Sequence, residues 1–142
     1  MEQRVSLITL GVQDVEASSA FYAALGWERA GSGDGPVVYQ LLGQALGLYP
    51  LEDLAGEIGV SPDRLRTGAM VLSYNVRARD EVAEVLALAE AAGGTVINSA
   101  RDVFWGGHHG HFADPDGHIW EVAWNPYSPL GPDGAFRWGS GA

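Results

Sequence analysis

The chain has 142 residues, eight basic against eighteen acidic side chains, a formal net charge of −10, and no cysteine. That balance excludes a nucleic-acid surface, which needs clustered Lys and Arg to neutralise phosphates, and the missing cysteines exclude disulfide staples, thiolate metal sites and cysteine nucleophiles. The length suits one domain able to bury roughly 68% of its unfolded surface, so neither metal nor crosslink is required merely to fold.

The opening MEQRVSLITL carries no basic leader followed by a long apolar stretch, and no apolar run approaches membrane-spanning length. A cytoplasmic protein without a membrane partner is expected. Residues 5–28 then read as a strand, an Asp14 N-cap, a helix with Ala17, Phe21, Ala24 and Leu25 at helical spacing, and Gly26 just past its end. Short strands follow at Val37–Leu41 and Gln44–Tyr49. The glycine-rich Gly31-Ser32-Gly33-Asp34-Gly35 has no helix after it, so it reads as a flexible hairpin loop and not as a phosphate cradle. Residues 51–68 mix a short helical pattern with Pro and Gly and serve as a connector.

Residues 69–97 repeat the first plan: a strand, a helix with Val82, Val85, Leu86, Ala89 and Ala92 on one stripe, Gly93-Gly94, and another strand. Strands at His108–Ala113 and His118–Trp124 flank Asp114-Pro115-Asp116-Gly117, whose residue order is that of a type I turn. The fold expected is α+β: two βαβββ modules, about 4–50 and 69–126, forming a curved mixed-sheet cup with helices on its outer face and a Gly/Pro-rich tail at 127–142. Strand alternation turns Ile8, Leu10 and Val12, and likewise Met70, Leu72 and Val76, toward the helices. Val5, Leu7, Thr9 and Gly11, with Ala69, Val71, Ser73 and Asn75, then line a concavity suited to a small ligand.

All four histidines fall between 108 and 118. If Ala113 pairs with His118 across the turn, Gly110 faces Glu121, His108 lies diagonal to Glu121 on the same face, and His109 and His111 point away. A single bulge among the glycines reverses these faces. Trp105-Gly106-Gly107 reads as a loop over the cup, with Tyr49, Phe104 and Trp105 as aromatic ligand contacts and Thr9, Ser73 and Asn75 as polar ones.

The paired modules, the opening ITLGVQDVEASSAFYAALGW, the middle AMVLSYNVRARDEV with AAGGTVI, and WGGHHGHFADPDGHIWEVAWNP resemble the vicinal oxygen chelate superfamily of glyoxalases, bleomycin-resistance proteins and extradiol dioxygenases over about residues 4–126. The resemblance lies nearest the glyoxalase-related branch. It implies one metal ligand on each of four inward strand positions, which fall here on Leu7, Gly47, Val71 and Glu121. Three of these have no donor atom, so no metal and no other cofactor is expected at that site. The resemblance implies a homodimer that binds a small organic molecule in its cup. The competing expectation is a lyase or isomerase, using Glu121 as a general base with its pKa raised by an apolar setting, or using a divalent metal displaced toward His108. A fold serving only as a dimer module is the third. Glu121 itself reads in the first place as a partly buried carboxylate that accepts hydrogen bonds.

Overall fold

The computed structural model describes residues 1–142 apart from 2, 4, 31–36, 67, 69 and 140–142. The Gly31–Gly35 loop and the inward placement of Ala69 therefore lie outside the described residues. The chain folds as two compact units, Met1–Gly68 and Ala69–Ala142.

In the first unit, β1 (Leu7–Val12) lies parallel to β3 (Ala45–Pro50), and β2 (Val37–Gln40) lies antiparallel on the other side of β3. Helix α1 (Val15–Ala24) starts where the Asp14 carboxylate accepts from the Ala17 amide at 3.0 Å and stops at Gly26, which holds φ +92°. Leu10, Val12, Leu46, Leu48 and Tyr39 are buried on one side of the sheet, as alternation predicts. The helix stripe differs from the expected one. Phe21 is buried and Leu25 half-buried as expected, but Ala17 and Ala24 are exposed, and Ser18, Ser19 and Tyr22 are buried in their place. Tyr22 stacks among Phe21, Trp27 and Tyr39 at centroid distances of 5.2–5.6 Å, and Ser19 hydrogen-bonds the Tyr39 hydroxyl. Two aromatics bury far more area than two alanines and set the rotation of the helix. Among the described residues this module shows β1, α1, β2 and β3, with no strand between α1 and β2.

The connector forms α2 (Leu51–Ile58) and a 3-10 turn at Pro62–Leu65. Helix α2 returns onto the end of β1: a Cβ at Gly11 would come 2.8 Å from Leu51 Cδ1, so any side chain there would displace the Leu51 tip.

The second unit has the full βαβββ plan. Its sheet runs in the order β4 (Val71–Asn75), β7 (Ile119–Trp124), β6 (His108–Ala113), β5 (Thr95–Asp102), with β4 parallel to β7 and the rest antiparallel. Helix α3 (Glu81–Ala91) buries Val82, Leu86 and Ala89 against the face that carries Phe112, Trp120 and Val122. Each such side chain contributes about 1.5–3 kcal/mol of apolar burial. Leu86 sits directly over Gly110, where a Cβ would lie 2.5 Å from its Cδ1. Met70, expected under the helix, is exposed because the strand begins only at Val71. The tail is tied back by Arg77, which donates to the Gly131 and Pro132 carbonyls, and by Gly139, which donates to Ser128 Oγ. No described helix is long and apolar enough to cross a membrane.

Candidate functional site

The turn after β6 decides which side chains meet. Asp114 is buried, accepts the Gly117 amide on its carbonyl, and takes the Asp116 and His118 amides on its carboxylate at 3.0 and 2.9 Å. Gly117, at φ +89°, adds one left-handed residue to the type I turn. Asp114 therefore bonds His118, and Ala113 pairs with Ile119 and not with His118. A shift of one residue turns every side chain over.

The outcome reverses the expected faces. His111 lies opposite Glu121 and His109 opposite Ala123, so both imidazoles share the face of Glu121. His108 pairs with Trp124 on the other side, where its Nδ1 meets Asp102 Oδ1 at 2.7 Å and Arg79 holds the same carboxylate. A site built on His108 beside Glu121 is thus corrected to one built on His109 and His111. Arg79 and His108 together hold the Asp102 carboxyl below the usual carboxylate range.

On the site face a hydrogen-bonded chain crosses three strands. Ser73 Oγ on β4 donates to Glu121 Oε2 at 2.9 Å, and Glu121 Oε1 on β7 lies 2.9 Å from His109 Nδ1 on β6. Partial burial pulls the Glu121 carboxyl upward, but the bonds from His109 and Ser73 and the potential of both histidines outweigh it, and its pKa lies below the usual value. A Glu121 with a raised pKa is corrected accordingly: the carboxylate is ionised near neutral pH, and His109 Nδ1–H donates to it. His109 Nε2 is buried without a hydrogen-bond partner. His111 stands 4.8 Å from His109, centroid to centroid, with its rings edge to face. Burial chiefly, then His109 and Arg101, push its pKa down against the pull of Glu121, so it is neutral at pH 7. Asn98 Nδ2 reaches its Nδ1 at 3.5 Å.

The other expected contacts are distributed as follows. Val71 and Asn75 share the β4 face with Ser73, and Val71 is 50% exposed. The Trp105 ring folds back over Gly107 at the β5–β6 hairpin, where a Cβ would lie 1.9 Å from it, while Phe104 is fully exposed. In the first unit Leu7 is 51% exposed, Thr9 faces Gly47 across the parallel pair, and Tyr49 is held by α2, its hydroxyl pKa raised by Glu57 and, more weakly, by burial and Asp53. Leu7, Gly47 and Val71 offer no donor atom, so the divalent ion implied at those positions together with Glu121 does not fit this chain.

A parallel pair joining the first and last strands of each unit, with a helix under one face and, in the second unit, a carboxylate on the other, is a glyoxalase-type arrangement. The sequence model described as the Glyoxalase/Bleomycin resistance protein/Dioxygenase superfamily matches residues 4–122, and the chain belongs to that superfamily. Among solved structures, a glyoxalase-related enzyme from Fulvimarina pelagi is 40% identical, with a TM-score of 0.90 over 98% of this chain and 100% of that one. The hypothetical protein SA1046 from S. aureus is 27% identical, with a TM-score of 0.74 over 88% and 95%. A lactoylglutathione lyase from Agrobacterium tumefaciens, 21% identical with a TM-score of 0.67 over 88% and 96%, shares the fold. No curated protein matches at a significant level.

Proposed function

We propose that the protein binds a small polar organic molecule on the open face of its second sheet, with no ion at the four positions where the family resemblance places one. The observation that carries this reading is the Ser73–Glu121–His109 chain: an ionised carboxylate, fixed on both oxygens, beside a buried imidazole nitrogen that lacks a partner. A buried polar nitrogen left unpaired costs about 1–3 kcal/mol, which a hydrogen-bonding ligand group would recover. Half-exposed Val71 supplies apolar area beside this polar centre, and the acidic chain favours a ligand with cationic or hydrogen-donating character.

A second reading, a glyoxalase-related lyase or isomerase, draws on the same bond. A carboxylate on Nδ1 fixes the tautomer that leaves Nε2 free to accept a proton, so His109, and not Glu121, would be the base. A cytoplasmic location belongs to the same proposal, since the chain holds no cysteine that an oxidising compartment would pair.

The experiment is a thermal-shift screen of small amines, hydroxy acids and amides, followed by calorimetry on each hit with wild type and Glu121→Gln. A ligand at one hundred times its Kd stabilises by about 2.7 kcal/mol. Affinity should fall at least tenfold in Glu121→Gln. Equal binding by the variant would remove the carboxylate from the site, and absence of any stabilising compound would leave the proposal without its ligand.

A further inference from the structure

Among the described residues only one group of three or more metal-ligating side chains converges: His109, His111 and Glu121, each half-buried, with one ligand atom from each within 4.8 Å of the others. We propose that these three bind a divalent first-row transition ion, at a place displaced from the four family positions. The proposal rests on the reading above only for the face it uses, and needs no organic ligand.

Three features support it. First, the arrangement is fixed by backbone. His109 and His111 are alternate residues of β6 with Gly110 between them turned under Leu86, and Glu121 is the cross-strand partner of His111. Two imidazoles and a carboxylate thus come from adjacent paired strands onto one side of a sheet, leaving the opposite side of a bound ion open to other ligands. Second, the spacing fits. Two ligand atoms each about 2.1 Å from an ion and at right angles are about 3.0 Å apart, and His109 Nδ1 lies 2.9 Å from Glu121 Oε1, so an ion here would take the place of the proton that Nδ1 now donates, leaving the neutral imidazole protonated on Nε2. Third, the surroundings suit a cation. Ser73 donates to the remaining Glu121 oxygen and would keep the carboxylate aimed, as outer hydrogen bonds do around metal sites, and the chain carries a net charge of −10. Arg101, opposite His109 on β5, is the one cation facing the group from that strand, and it is exposed. Imidazole with carboxylate selects zinc, nickel, cobalt or iron over calcium and magnesium.

The test uses the full chain, stripped with chelator and titrated with cobalt(II) alone, read by calorimetry and by visible absorption. One ion per chain is expected, with affinity reduced at least tenfold in His109→Ala, His111→Ala and Glu121→Gln and unchanged in His118→Ala, which lies on the turn. Proton NMR of the cobalt-loaded wild type gives a readout that needs no variant: ring protons of His109 and His111 should carry the large through-bond shifts of coordinated imidazoles, and those of His108 only smaller through-space ones. Absence of stoichiometric cobalt binding, binding retained in both histidine variants, or through-bond shifts on His108 would overturn the site. Small-molecule binding by the metal-free protein with no cobalt uptake removes the ion and keeps the function proposed above. Cobalt uptake with no organic ligand does the reverse.

Discussion

Gly110→Ala is the smallest change that tests whether the site is positioned by packing on the far side of its sheet. The new methyl would stand 2.5 Å from Leu86 Cδ1, 2.8 Å from the Asn98 carbonyl oxygen and 3.2 Å from the Ala100 amide nitrogen. The leucine tip can rotate; the β5 backbone cannot yield without moving the strand. Overpacking of this kind costs about 1–3 kcal/mol, and the roughly 0.4–1 kcal/mol that replacing glycine contributes by restricting the unfolded chain leaves a net loss of about 0.6–2 kcal/mol. With about 2.1 cal/mol/K of unfolding entropy per residue, 142 residues give about 0.3 kcal/mol/K, so Tm should fall by about 2–7 °C. Differential scanning calorimetry of wild type, Gly110→Ala, Leu86→Ala and the double variant resolves the cause. Leu86→Ala alone should cost about 2–5 kcal/mol, and the double variant should be at least about 1 kcal/mol more stable than the two single effects added. The same methyl would shift β6, so Gly110→Ala should also weaken whatever His109 and His111 bind. An unchanged or raised Tm for Gly110→Ala would refute the reasoning, because it would mean that α3 does not seat on the strand at that point.

Gly56→Ala is the complementary substitution: Gly56 lies inside α2 with nothing within 4 Å of its Cβ position, so calorimetry should show a gain of about 0.5–1 kcal/mol. Asp114→Ala removes a buried carboxylate that holds two backbone amides, and chemical denaturation should show a loss of about 2–4 kcal/mol, with Asp114→Asn recovering part of it. Asp102 has a folded pKa below its unfolded one, so its stabilising effect is present above about pH 4 and fades as the pH drops through the folded value. The Tm gap between wild type and Asp102→Asn should therefore be open at pH 7 and close in acid; a gap that widened in acid would contradict the Arg79 and His108 bonds.

The regular elements were legible because their signals are local. Asp14 before α1, Gly26 after it and the Val82, Leu86, Ala89 stripe of α3 each declare themselves within a few residues, and the structure agrees. The β6–β7 register was not legible, because it depends on whether Gly117 takes a left-handed conformation and joins the loop, and nothing in DPDG alone forces that. One residue of slip then exchanged His108 for His109 and His111. A usable signal did exist in GGHHGH: Gly110 is flanked by two histidines, and a strand residue with no side chain is where a helix can press close. That reading assigns Gly110 to the α3 side and its two neighbours to the other. The Glu121 pKa was missed for the same reason, since its lowering comes from a histidine that the slipped register had turned away.

The two units show why the chemistry gathers in one of them. Both pair their first and last strands in parallel, and both bring the third residue of the first strand opposite the third residue of the last: Thr9 with Gly47, and Ser73 with Glu121. The hydroxyl is kept in both units, but the carboxylate it would orient is present only in the second. In the first unit the same face is closed at its β1 end by Leu51 of α2 seated on Gly11, and its aromatic, Tyr49, is engaged by Glu57 of that helix. The first unit's face is covered by its own connector and carries no polar centre, whereas the second unit's open face carries an ionised glutamate and two imidazoles, one with a buried nitrogen that lacks a partner. The α3 side of the same sheet is filled with buried Phe112, Trp120 and Val122. The polar cluster on the opposite side, with its unpartnered imidazole nitrogen, is therefore where binding, of an ion or of an organic molecule, should be sought.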